Sequence, residues 1–202
     1  VMCVAVSRDG RLAASGGYDR AVRVWSVEEG RAVAVLSGHT GVVNAVAFSA
    51  DGTMVASGGY DRADRTVRVW DVASGREVVR CGDAGHPVVR LAFSPDGTRL
   101  ASGGDDQTVR VWAAVGGRML HRLEGHDGPV QAVAFAPDGE HVVSAGNDRT
   151  VWVWNLADGR ESLCLRGHTH VVHDLWVPDG QRLLSAADDG TVREWDRATG
   201  AE

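Results

Sequence analysis

Five tryptophans, Trp25, Trp70, Trp112, Trp154 and Trp195, follow one another at separations of 45, 42, 42 and 41 residues. Asp-Gly pairs beginning at Asp9, Asp51, Asp96, Asp138 and Asp179 recur at 42, 45, 42 and 41. Two independent columns sharing one period of about 42 residues confine the chain to a repeat architecture. A unit this short cannot bury a core alone and must pack against its copies. The deviations are local. The second unit reads YDRADRTVRVW where the first reads YDRAVRVW, a near-duplication over Asp61 to Ala63, and the fifth unit drops one residue before Pro178.

Within a unit the pattern is that of strands. Residues 43–48, 54–57, 66–70 and 77–81 are short runs rich in Val, separated by Asp-Gly, Gly-Gly and other turn residues. Such runs read as antiparallel strands joined by tight turns, and no helical period interrupts them. A four-stranded sheet that is apolar on both faces is stable only between neighbours, and a radial arrangement also protects its edges. The expected fold is all-β, with five repeats at 1–36, 37–82, 83–123, 124–165 and 166–202 in a single domain spanning 1–202. This gives four full four-stranded blades plus three strands.

Composition narrows the partners. The formal net charge is −6, with no basic excess to neutralise phosphates, which argues against nucleic acid. No apolar run reaches the length of a membrane-spanning helix, and no amino-terminal stretch looks like a signal peptide. Cys3, Cys81 and Cys164 are odd in number, far apart and set among apolar residues, so they read as reduced thiols of a cytoplasmic protein. All basic residues are arginine and none is lysine, which fits the codon bias of a GC-rich genome.

The residues now carry a family likeness. Gly38-His39, Gly125-His126 and Gly167-His168 open units that end in Trp70-Asp71, Trp154-Asn155 and Trp195-Asp196. With the Asp-Gly column and an Asp six residues before each Trp, this resembles the WD-repeat β-propeller family over essentially the whole chain. The resemblance implies partner binding on the loop-lined top of the ring. In bacteria such repeats are often joined to kinase, nucleotide-switch or protease domains, so a place in a larger regulatory protein is expected. The family commonly closes with seven blades. The chain begins inside the first strand of repeat 1 and stops just after the third strand of repeat 5, so part of a larger ring is the expectation, with blade faces open to self-association.

Three of the units also repeat a His, a Ser, an Asp and a Trp: His39, Ser57, Asp64 and Trp70; His126, Ser144, Asp148 and Trp154; His168, Ser185, Asp189 and Trp195. The set imitates a nucleophilic triad. A triad occurs once per active site, whereas this set recurs with the fold, so the expectation is a buried structural relay from indole through hydroxyl and imidazole to carboxylate. In the third unit His86 lies 16 residues after Trp70, where its counterparts lie 14 after theirs. An ungapped register puts Asp83-Ala84 in the Gly-His position, leaves His86 exposed in a loop and makes the relay of Ser102, Asp106 and Trp112 incomplete.

Other candidates read as structure. His168, His170 and His173 crowd together, yet the first belongs to the relay and the other two differ in strand parity, so no metal site is expected. Arg23, Arg68, Arg110 and Arg193 each precede a repeat Trp by two residues. Their stems are expected to cover apolar surface while the guanidinium reaches the blade edge.

Function is expected at positions that vary while their neighbours stay fixed. The residue before each relay Asp does so: Tyr18, Asp105, Asn147 and Asp188, with Ala63 or Tyr60 in the lengthened turn. So does the fifth residue after the Gly-His histidine: Asn44, Gln131 and His173, with Met2 and Val89 aligned to it. The expected activity is a non-catalytic scaffold that binds a protein or peptide at one face formed by these residues, without a cofactor. The alternative is an enzyme or metal-dependent activity in the central channel.

Overall fold

A computed structural model describes residues 1–60 and 63–202; the inserted Asp61 and Arg62 lie outside the described residues. Five antiparallel sheets follow in chain order. The first holds β1 (Cys3–Val6), β2 (Leu12–Gly16), β3 (Ala21–Ser26) and β4 (Arg31–Ser37). The second holds β5 (Val43–Phe48), β6 (Met54–Gly59), β7 (Thr66–Asp71) and β8 (Glu77–Asp83). The third holds β9 (Val88–Phe93), β10 (Arg99–Gly104), β11 (Thr108–Ala113) and β12 (Met119–Glu124). The fourth holds β13 (Val130–Phe135), β14 (His141–Gly146), β15 (Thr150–Asn155) and β16 (Arg160–Arg166). The fifth has three strands, β17 (Val172–Trp176), β18 (Arg182–Ala187) and β19 (Val192–Asp196). Each sheet is an up-and-down meander, here called blades 1 to 5.

The Asp-Gly column explains the first hairpin of a blade. Gly52 sits at φ 71°, a conformation open to glycine at little cost. Ser49 and Asp51 lock the turn: the Ser49 hydroxyl donates to Asp51 at 2.6 Å and accepts the Met54 N–H at 2.9 Å.

The core lies between blades, not within one. One apolar cluster joins Ala14, Val22 and Leu36 of blade 1 to Val43, Val55 and Trp70 of blade 2, and three further clusters repeat this at the next junctions. Approach is close enough to exclude a side chain. A Cβ built on Gly58 would stand 2.5 Å from Val88 Cγ1 of the next blade, and one on Gly103 would stand 2.7 Å from Val130 Cγ1. The first strands β1, β5, β9, β13 and β17 pack one against the next in that order, which puts them innermost.

The two outer blades keep one face uncovered. The valine three residues before the repeat Trp is fully buried as Val22, Val67, Val109 and Val151 but 67% exposed as Val192. Glu194 is exposed where Val24, Val69, Val111 and Val153 are buried. On the opposite outer face, Val4 and Val6 of β1 are 63% and 59% exposed. Each lacks only the sheet that covers its counterpart elsewhere.

Candidate functional site

The polar column is a hydrogen-bond relay. His39, in the loop between β4 and β5, sets Nδ1 2.7 Å from Asp64 Oδ2 and Nε2 2.7 Å from Ser57 Oγ, and Trp70 Nε1 donates to the same hydroxyl at 2.7 Å. Blade 4 repeats this through His126, Asp148, Ser144 and Trp154 at 2.8, 2.7 and 2.8 Å. Blade 5 does so through His168, Asp189, Ser185 and Trp195 at 2.8, 2.7 and 2.8 Å. One direction of donation satisfies every atom: indole N–H to hydroxyl oxygen, hydroxyl proton to Nε2, and Nδ1–H to carboxylate. In this arrangement Nδ1 faces the carboxylate as donor and Nε2 faces the hydroxyl as acceptor.

The carboxylates are held ionised. Burial alone would raise Asp64 and Asp148, but the histidine bonds, reinforced by Thr66 and Thr150, carry both well below the usual carboxylate range. The Thr191 hydroxyl is the main cause of the same lowering at Asp189, joined by Thr169 N–H and His168. The backbone N–H after each histidine also binds its carboxylate, through Thr40, Asp127 and Thr169 at 2.7, 3.1 and 3.0 Å. The network thus pins the connection between two blades to the second hairpin of the later one. Ser57, Ser144 and Ser185 are at most 1% exposed, so their hydroxyls meet no substrate.

The variable positions form a second constellation. The first strand of blades 2 to 5 bulges at its second residue, which leaves Asn44, Val89, Gln131 and His173 outside the regular ladder. A bulge re-aims its side chain. Facing it is the residue just after the second strand: Tyr60, Asp105, Asn147 or Asp188. The N–H of each binds the carbonyl two residues before the bulge, at Val42, Pro87, Pro129 and Val171, over 2.9, 3.3, 3.0 and 2.9 Å. This bond makes Tyr60, not Ala63, the counterpart in blade 2. Side chains of the two columns meet in two blades: Gln131 donates to Asn147 at 2.9 Å, and His173 Nε2 lies 2.8 Å from Asp188. Tyr18 follows Gly17 in the matching hairpin of blade 1 and is 72% exposed. In every blade these residues occur where the first strand starts and the second ends, the same end of each sheet. Val89 departs from the column, being only 6% exposed.

The repeat family described as "WD domain, G-beta repeat" matches residues 1–26, 30–71, 79–113, 117–155 and 159–196. The chain belongs to this WD40 family. From 30–71 onward each matched WD40 segment opens at the fourth strand of one sheet and ends with the third strand of the next. The sequence repeat and the blade are therefore offset by one strand. A stretch of 46 residues is also 41% identical to the rice (Oryza sativa subsp. japonica) "U3 snoRNP-associated protein-like YAOH". It covers 23% of this chain and 9% of that protein, so the chain spans only a small part of this relative.

Blade 3 of the WD40 array departs from the relay. Trp112 Nε1 donates to Ser102 Oγ at 2.9 Å as usual. Ala84, 3% exposed, takes the histidine's place and packs into the cluster with Trp112. His86 is exposed in the following loop. Asp106 turns instead to Arg110, at 2.6 and 3.1 Å, which lowers its carboxyl against the raising effect of burial.

The arginine column corrects an expectation. Arg68 and Arg110 are 3% and 8% exposed, so their guanidinium groups do not reach an open blade edge. Arg68 lies between Glu77 at 2.9 Å and Asp64 at 3.6 Å, and its Nε donates to Thr66 at 3.0 Å. Buried Asp64 and partly exposed Glu77 supply the counter-charge that sequence spacing did not show, and the Thr66 hydroxyl accepts one further bond. Blade 4 replaces the arginine with Trp152, whose Nε1 donates to Thr150 at 2.7 Å while its ring stacks on Trp154 at 5.1 Å and 9°. That substitution was legible as a break in the column.

The remaining chemistry is quiet. Among the described residues no three His, Cys, Asp or Glu side chains converge in a way that could hold a metal. The three cysteines are free thiols. Burial pushes Cys3 and Cys81 up to about 11, which keeps both protonated near neutrality.

Proposed function

We propose that this WD40 array is a non-catalytic interaction module whose partner is a protein or peptide laid across the face that carries Tyr18, Asn44, Tyr60, Asp105, Gln131, Asn147, His173 and Asp188. One observation carries the reading. The relay uses the same four residue types in blades 2, 4 and 5, while the bulge and hairpin-tip pair beside it changes from Gln131–Asn147 to His173–Asp188. Folding needs the bulge and the backbone bond behind it, and neither depends on which side chains meet there. Sequence freedom of that kind over a rigid scaffold is what partner recognition uses. The net charge of −6 favours a protein surface over nucleic acid. A cytoplasmic location and a regulatory role within a larger, bacterial-type protein are parts of the same proposal. So is self-association through the uncovered faces of blades 1 and 5.

The test is selection of a displayed peptide library on the chain, followed by affinity measurement against variants. Peptides that lose on the order of tenfold in affinity for Asn147→Ala and Asp188→Ala, with unchanged melting of both variants, support the face. Peptides whose binding ignores both substitutions refute it.

A further inference from the structure

Where the innermost strands meet, they leave a cavity of about 350 Å³ lined by β1, β5, β9 and β17. Two oppositely charged residues stand in it, Arg90 on β9 and Asp174 on β17. Both occupy the third position of a first strand, a place filled by Ala45 and Ala132 in blades 2 and 4 and matched in ladder register by Cys3, the first residue of β1. Ala45 and Ala132 are buried there, so the fold asks only for a small side chain. Arg90 and Asp174 are exposed to the cavity instead. Neither forms an ion pair with a described residue, and Asp174 receives a single bond, from the Leu175 N–H at 3.0 Å.

We propose that this cavity binds a small zwitterion, an amino acid or a short peptide, with Arg90 taking its carboxylate and Asp174 its ammonium group. A guanidinium matches a carboxylate through two parallel N–H bonds, and an ionised carboxylate accepts from an ammonium group. Asn44 adds an amide that donates and accepts, and Val46 and Leu91 supply apolar wall for a side chain. The volume lies at the small end of the range of ligand pockets, which suits a molecule of dipeptide size. Cys3 borders the same space, but its thiol is kept protonated by burial, so the chemistry is reversible binding with no covalent step. The site adjoins the proposed partner face through Asn44, which belongs to both, while Asn147 and Asp188 do not line it.

The probes are glycyl-leucine, its N-acetylated form and its carboxy-terminal amide, titrated into the whole chain and followed by proton–nitrogen NMR. Glycyl-leucine should shift the signals of Asn44 and Arg90, and both blocked forms should bind on the order of tenfold more weakly. Arg90→Gln should abolish the distinction between glycyl-leucine and its amide. Asp174→Asn should abolish the distinction from the acetylated form. Both side chains are exposed, so the variants should melt like the parent. The proposal is overturned if glycyl-leucine leaves Asn44 and Arg90 unshifted up to about 10 mM, or if either variant retains the parent's discrimination. Asn147→Ala should leave these titrations unchanged, which keeps this result distinct from failure of the partner face.

Discussion

Asp106 is gripped by Arg110, with Oδ2 2.6 Å from Nη2, in the place where Asp64, Asp148 and Asp189 are gripped by histidines. The exchange follows from one backbone fact. Ala84 occupies the histidine position in blade 3, so the carboxylate there has no imidazole to accept from and takes the guanidinium already beside it. The blade keeps its Trp112–Ser102 bond and closes normally. The relay is therefore one of two ways to give the same carboxylate a hydrogen-bond donor.

This gives a first contrast. His126→Ala strands Ser144 and Asp148 and should cost about 1–3 kcal/mol of stability. His86→Ala removes an exposed ring and should stay within about 0.5 kcal/mol. Denaturant melts of the two variants decide it, and equal shifts would show that His86 does the relay's work.

Acid should find the relay early. The Asp148 carboxyl is depressed in the folded chain, so its ionised form stabilises the fold above its unfolded value of about 3.9. That contribution is lost as pH falls from about 4 toward the lower folded value. Stability of the parent should drop more steeply across this window than that of Asp148→Asn. Parallel pH profiles would remove Asp148 from the account.

The uncovered faces predict position-dependent costs for one substitution. Val151→Ala empties a fully buried site and should cost about 2 kcal/mol. Val192→Ala, at the equivalent but 67% exposed site, should cost less than about 0.5 kcal/mol. If both cost the same in equilibrium unfolding, the blade 5 face is covered in solution.

Blade spacing can be tested at Gly58. A methyl group there meets Val88 Cγ1 at 2.5 Å, so Gly58→Ala should cost about 1–3 kcal/mol through overpacking. Adding Val88→Ala should recover part of that loss, a non-additive coupling visible in a double-mutant cycle. Strict additivity would mean that the sheets separate freely.

The repeat and the strands were legible because each is a short-range constraint written five times over, and the relay because its four residue types recur at matching positions in three of the units. A Trp every 42 residues or so and an Asp-Gly turn at fixed offset leave little choice of element. Counting from Trp70 was enough to place Ala84 in the Gly-His position, since an antiparallel register admits no two-residue slip without moving the side chain out of reach. The arginine column was not legible in the same way. Strand parity shows on which side Arg68 leaves its strand, but not that Glu77 of the neighbouring strand and Asp64 wait there.

What the sequence determined by itself is thus everything that repeats: unit length, strand and turn order, and the Trp–Ser–His–Asp set. Tertiary structure decided what occurs once. It made Tyr60 rather than Ala63 the partner of the blade 2 bulge, it buried Val89 while leaving Asn44, Gln131 and His173 partly or fully exposed, and it brought Arg90 and Asp174 into one cavity from strands 84 residues apart. The physical reason is the range of the forces involved. Turn conformations and ladder bonds act between near neighbours in the chain, whereas burial and charge pairing depend on which sheet happens to lie alongside.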